Sequence, residues 1–177
     1  MNSVTTPIDL FSLIVQIEAL LASSPPASNA DLEHLLSRVA TGFREATFGN
    51  ARPANATELG ERACKAMMQL PMTLYSEVAA EAIWEVARFS GVRRINREAV
   101  AEMGRRLIDI GNLFGSLHLR RKAHVLCSAV DSQRANYAAA IEHAWASMKV
   151  AKANGDDLGV GSAWNNLAIA LAGCGLH

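Results

Sequence analysis

The chain has 177 residues, and its 17 basic and 17 acidic side chains give a formal net charge of zero. A protein whose main task is to bind nucleic acid normally carries a basic excess, so nucleic acid is not an expected partner. Half of the residues are apolar, which excludes a largely disordered chain. Aromatic residues make up only 6%. We therefore expect helices that pack closely through small residues rather than a β-sheet.

Apolar residues recur with the helical period along the chain, and proline or glycine residues interrupt them at intervals. No segment shows the alternation of apolar and polar residues that is typical of a strand. The pattern predicts an all-α protein of about eight helices. Their expected limits are about 7–22, 28–46, 57–70, 73–90, 96–111, 117–132, 137–153 and 158–172.

Cysteine usage and the N-terminal sequence bear on the protein's location. Cys64, Cys127 and Cys174 are widely spaced and form no CxxC pair, so neither a disulfide framework nor a zinc site is predicted. We expect a reduced, cytoplasmic setting. The apolar run at 8–21 is interrupted by polar residues and is too short to cross a bilayer, so we expect no membrane partner.

The end of the chain has a recognisable order of large and small residues. In the segment 161–177, GSAWNNLAIALAGCGLH, three large side chains and one small one recur at helical spacing before a turn glycine. This order resembles the first helix of a tetratricopeptide repeat. In that family the large residues fill gaps between helices, and the small one lets the paired helix approach. Trp164, Leu167, Ala168 and Leu171 match this order. The resemblance implies that Leu167, Ala168 and Leu171 are core residues, together with Trp84, which lies two forty-residue intervals before Trp164.

The segments upstream extend this resemblance. Residues 136–141 resemble the turn that opens the second helix of such a repeat, and 154–159 resemble its GD-x-x-G link. Trp84, His124 and Trp164 are spaced by forty residues, which suggests repeats that start near 81, 121 and 161.

The resemblance implies a stack of antiparallel helix hairpins that forms a right-handed superhelix, and it is clearest over 121–177. Residues 81–177 form the repeat segment. Residues 1–80 are either degenerate hairpins of the same stack or a separate helical cap. The sequence stops where a repeat would turn into its second helix, so we expect a stack truncated in mid-repeat, the N-terminal part of a longer protein.

No motif for a chemical reaction occurs. The sequence lacks a phosphate loop, a dinucleotide fingerprint, an HExxH motif and a nucleophile elbow. We therefore predict no catalytic residue, no cofactor and no enzyme activity. The five histidines show no pairing that predicts a metal site. Glu77, Glu81 and Glu85 share one helix face and are interpreted as a solvated face.

Basic residues are concentrated in one part of the chain. Eight of them lie between Arg93 and Lys122, and only three acidic residues accompany them there. Arg105 and Arg106 are therefore candidate partner-binding residues, and the adjacent pair Asn165 and Asn166 in the last repeat is a second candidate. An acidic peptide or a phosphate-bearing partner would suit such a surface, and the alternative is a solvated face with local ion pairs.

Helical stacks offer concave, preformed surfaces. We therefore predict a non-enzymatic interaction or regulatory scaffold that binds a protein or peptide. The resemblance further implies the input part of a larger bacterial signalling protein. Two alternatives remain open. One is a small-ligand sensor that controls a C-terminal effector such as a diguanylate cyclase or a transcription regulator, and the other is a dimerisation module that forms a homodimer.

Overall fold

The computed structural model describes residues 9–23, 29–49, 53 and 55–176. These residues form eight α-helices and one 3₁₀ turn, and there is no strand among them, which confirms the all-α prediction. The helices are α1 (Leu10–Ala22), α2 (Asn29–Phe48), α3 (Ala56–Gln69), α4 (Glu77–Val92), α5 (Arg97–Leu113), α6 (Leu117–Gln133), α7 (Tyr137–Ala153) and α8 (Asp157–Gly173).

The predicted limits agree well with these helices from α5 onwards and less well before it. The predicted start of the first helix at Thr6 and Pro7 lies outside the described residues. The fourth helix begins later than predicted, because Met72–Leu74 form a separate 3₁₀ turn and Ser76 caps α4 by accepting a hydrogen bond from the Ala79 N–H (3.2 Å). A capping serine fixes the first turn of the helix that follows it, so α4 cannot extend back through that turn.

The second half of the chain is regular. Helices α4 to α8 begin at residues 77, 97, 117, 137 and 157, one every twenty residues. Trp84, His124 and Trp164 each occupy the eighth position of their helices, α4, α6 and α8. The residue before each of these five helices is a serine, an asparagine or an aspartate, the types that best satisfy the free N–H groups of a helix start.

The turns between these helices share one geometry. Gly115, Ala135 and Gly155 follow the ends of α5, α6 and α7, and all three have φ near +60°. In each turn the next N–H bonds back to a carbonyl five residues earlier, as in a Schellman motif. The three bonds are Ser116 N to Gly111 O (2.8 Å), Asn136 N to Asp131 O (2.9 Å) and Asp156 N to Ala151 O (3.0 Å).

Helix contacts follow the chain order of a hairpin stack. Each of the pairs α1–α2, α3–α4, α5–α6 and α7–α8 packs together. Successive even-numbered helices also contact one another, from α2 through α4 and α6 to α8, and the odd-numbered helices α1, α3 and α5 form a second row. A stack of helical hairpins results, as predicted. No helix within the described ranges is long and apolar enough to cross a membrane.

The apolar core is divided. Buried residues of α1 to α6 form one large cluster, which includes Phe43 and Phe89 with their rings in edge contact at 5.0 Å. A second, small cluster lies within the last hairpin and consists of Ala144, Met148, Ala163 and Leu167. The α7–α8 hairpin therefore has a core of its own.

Candidate functional site

A groove crosses the even-numbered row of helices. Its volume is about 490 Å³, and all four helices of the row contribute to its walls. We call it the even-helix groove. The residues that line it are Arg44 and Phe48 from α2, Glu81, Trp84, Glu85 and Arg88 from α4, Arg121, Lys122 and Val125 from α6, and Ser162 from α8. Such a cleft spans several hairpins, as a site for an extended partner requires.

The floor of the groove is a chain of ion pairs. Glu85 binds Arg88 and also Arg44, whose Nε lies 3.0 Å from Glu85 Oε1. Arg44 in turn contacts Glu81, whose other oxygen lies 3.2 Å from Lys122 Nζ. The chain thus alternates in charge and has a cation at each end, Arg88 and Lys122. These five groups contain one positive charge in excess.

Glu85 is the centre of this network. Its side chain is only 2% exposed, so the interpretation of the Glu77, Glu81 and Glu85 face as solvated is wrong at this position. A buried carboxylate needs partners that replace its water, and the two arginines supply them. The sequence spacing could not reveal this, because Arg44 lies on α2, far away in the chain.

The carboxylate of Glu81, one helical turn before Glu85, has a shifted pKa. Burial by itself raises the pKa of Glu81, but the charges and hydrogen bonds of Lys122 and Arg44 outweigh burial and leave the pKa below its ordinary value. The hydrogen bond to Glu85 raises the pKa of the Arg44 guanidinium. Both shifts favour the ionised forms of Glu81 and Arg44.

Two aromatic rings complete the groove. The Arg88 guanidinium carbon lies 4.3 Å from the centre of the Phe48 ring and 5.8 Å from that of Trp84. Lys122 Nζ lies 5.4 Å from the centre of the Trp84 ring. Contacts of a cation with an aromatic face hold the long basic side chains in place. The cations are thus ordered before any partner arrives.

At its far end the groove meets the last hairpin. Arg121 Nε lies 2.8 Å from Asp156 Oδ2, just before α8. The predicted binding residue Asn166 donates a hydrogen bond from its amide to the Val125 carbonyl (3.2 Å). It therefore joins α8 to α6, while its neighbour Asn165 is exposed.

The other two predicted binding residues lie elsewhere. Arg105 and Arg106 are on α5, in the second row of helices, and both contact Glu102. Arg106 also points its guanidinium at the Leu70 carbonyl (3.4 Å). The fold does not bring these arginines to the groove. Basic residues of α2, α4 and α6 line it instead.

The predicted core positions differ among themselves in burial. Trp84 and Leu167 are buried, and Leu171 is half-buried against the second cluster. Ala168 differs from the prediction, because it is exposed. The physical reason is that α8 packs on its neighbours through the opposite face, which carries Ala163, Leu167 and Ala170.

The sequence did not predict one pairing of histidines that the structure contains. His124 of α6 and His143 of α7 face each other with their Nδ1 atoms 3.0 Å apart. The twenty-residue spacing of successive helices is the signal that could have revealed it, since the two positions are nineteen residues apart. The described residues contain no group of three or more side chains suited to hold a metal ion.

The comparisons with known proteins add no relative. No protein-family model, no curated protein and no solved structure matches this chain. No family is identified. The resemblance to tetratricopeptide repeats therefore depends on the residues of the sequence alone.

Proposed function

We propose that this protein is a non-enzymatic interaction scaffold whose even-helix groove binds a protein or peptide segment. The observation that supports it is the groove itself, which crosses four helices and carries an ordered row of charged and aromatic side chains. Binding in such a groove costs little ordering of the receptor, since its side chains already hold one another. In the setting suggested by the resemblance, the scaffold serves as an input segment of a larger bacterial signalling protein.

The charge of the groove favours an acidic segment. Arg88 and Lys122 end the chain of ion pairs, and among the residues that the structure describes each pairs with a single carboxylate. A guanidinium has five N–H donors, more than one carboxylate can occupy. An aspartate or glutamate of the partner that enters between these residues would neutralise the excess charge, while an apolar neighbour would pack on Trp84.

Selection from a library of random peptides displayed on phage tests this proposal. We expect enriched peptides to be acidic and to lose binding to the variant Arg88→Gln/Lys122→Gln. The matched control is Arg105→Gln, since Arg105 is exposed and outside the groove. Circular dichroism establishes that all three proteins are folded. Absence of enriched peptides, or equal binding by the groove variant, would overturn the proposal.

A specific observation also favours self-association as a second function. Leu158, Trp164 and Ile169 of α8 are exposed, and Trp145 of α7 packs its ring against Trp164 at 6.0 Å. No charged residue occurs in the sequence from 158 to 176. Exposed apolar side chains without nearby charge in the sequence are typical of interaction sites, and they impose no charge repulsion on a second copy.

Light scattering coupled to size-exclusion chromatography tests this second function. We expect a dimer that the substitution Ile169→Lys converts to a monomer, because the new charge would be buried against the partner copy. A wild-type monomer at all accessible concentrations would overturn it.

A further inference from the structure

The last hairpin packs extensively on α6, where buried apolar residues and several polar contacts lie together. The two apolar clusters do not merge, and between them α6 meets α7 and α8. We call this contact the α6/α7 joint. Ser128 Oγ donates to the Ala140 carbonyl (2.8 Å), and Asn166 and Arg121 add the contacts described above. Of the side chains in such an interface, a histidine is the one whose charge can change between pH 5 and 8.

The histidine pair is part of this joint. His124 and His143 have ring centroids 5.3 Å apart, while their Nδ1 atoms are 3.0 Å apart. The difference equals the two ring radii, so both nitrogens lie on the line between the centroids. The rings therefore point directly at each other.

This alignment distinguishes a hydrogen bond from a metal site. Two imidazoles that bind one metal ion must each point at the ion, at about 2.0–2.1 Å from it, and not at each other. Two neutral rings placed in this way can share one hydrogen bond, in which one Nδ1 accepts from the N–H of the other. A neutral imidazole has one donor and one acceptor nitrogen, and this pair uses one of each.

A carboxylate assigns the two roles. Asp131 Oδ2 lies 3.8 Å from His143 Nε2, and its side chain is only 13% exposed. It favours a proton on that nitrogen, so we assign His143 Nδ1 as the acceptor and His124 Nδ1 as the donor. The pair, with this carboxylate, forms a row of three titratable groups across the α6/α7 joint.

Other charges also act on the pair. Burial lowers the pKa of His124 to about 4, with His143 and Arg120 contributing in the same direction. Burial lowers the pKa of His143 as well, and there the charges of nearby acids oppose it. The charged groups that act on the pair are Arg105 of α5, Arg120 and Asp131 of α6 and Glu142 of α7, and Arg134, just after α6, lies 3.9 Å from Asp131.

We propose that the His124–His143 hydrogen bond is a proton-sensitive latch that holds the α7–α8 hairpin on α6 at neutral pH and releases it in acid. A proton on the acceptor nitrogen places two N–H groups against each other and removes the bond. A second charge on the pair then repels the first across 3.0 Å. Because Ser162 of α8 lines the even-helix groove, release would also open the end of that groove, a consequence that rests on the proposed function.

The pH dependence of docking follows from the histidine pKa values in the docked and the released hairpin. In the released hairpin both imidazoles are in water and titrate near 6.5, whereas in the docked hairpin their pKa values are lower. Docking is therefore fully stable above pH 6.5 and weakens as the pH falls toward 4. The equilibrium constant for release rises by up to about tenfold per pH unit for each proton that the released form binds in excess.

Hydrogen–deuterium exchange measures this release directly and needs no partner. We expect amides of 137–173 to lose protection relative to those of α2 between pH 7 and pH 4.5, after correction for intrinsic exchange rates. The variant His124→Gln/His143→Gln should lose this dependence on pH. The matched control, His34→Gln, should retain it, since His34 is exposed on α2.

A titration of the wild-type protein by NMR is the second test and does not depend on any variant. Imidazole resonances of the pair should titrate in two coupled steps below 6.5. Independent titration of both at or above 6.5, or unchanged relative protection of the hairpin down to pH 4.5, would overturn the latch. Neither result would affect the proposal for the groove.

Discussion

The buried carboxylate of Glu85 offers the sharpest test of the groove architecture. The substitution Glu85→Ala removes the shared partner of Arg44 and Arg88. Hydrogen bonds to a charged group contribute about 1.5–3 kcal/mol each. The arginine side chains are 50% and 23% exposed, so water compensates part of the loss. We expect the free energy of unfolding to fall by about 2–4 kcal/mol, which in a chain of this size lowers the melting temperature by about 4–16 °C.

Glu81→Ala is the matched control. Glu81 also has two basic partners and lies one helical turn away, but it is 33% exposed. Exposed ion pairs contribute about 0–1 kcal/mol, so its loss should lower the free energy of unfolding by less than about 1 kcal/mol. Urea unfolding followed by circular dichroism measures both variants. If Glu81→Ala proved as damaging as Glu85→Ala, burial would not be what makes Glu85 important, and our reasoning would be refuted.

Two further predictions concern the turns and the thiols. Ala135 adopts the same left-handed conformation as Gly155 in the next turn between helices. Ala135→Gly should therefore raise the free energy of unfolding by about 1 kcal/mol, and Gly155→Ala should lower it by about the same amount. A decrease for the first variant or an increase for the second, measured by urea unfolding, would contradict this. Burial raises the pKa of Cys64 to about 11 and that of Cys127 to about 12, whereas Cys174 is exposed. A disulfide reagent at pH 7 should therefore modify one thiol per chain rapidly, and fast modification of two would show that a buried thiol is accessible.

Local signals in the sequence predicted most of the fold. Helix ends were placed well where a turn residue is followed by a capping residue, as at Gly155 and Asp156. They were placed less well at Thr73, because a 3₁₀ turn and the start of a helix have similar composition. The forty-residue spacing of Trp84, His124 and Trp164 also matches the spacing of the helices that carry them.

The site was less predictable, because its contacts join residues that are distant in the chain. Arg44 and Glu85 are separated by 41 positions, and nothing local marks Glu85 as buried or the two residues as partners. Clusters of arginine in the sequence pointed to α5 instead, where Arg105 is exposed. Ala168 illustrates the same limit, because a repeat pattern specifies which residues can be buried but not which neighbouring helix is present to bury them.

The shared turn geometry has a consequence for how such a protein can change over evolutionary time. Because the same Schellman turn recurs every twenty residues from α5 onwards, an insertion or deletion of forty residues would join helix ends that already fit each other. The groove could thus gain or lose one helix of its wall in a single genetic event, without a new loop. The binding surface would then lengthen or shorten by one helix at a time, while point substitutions change the side chains of each helix separately.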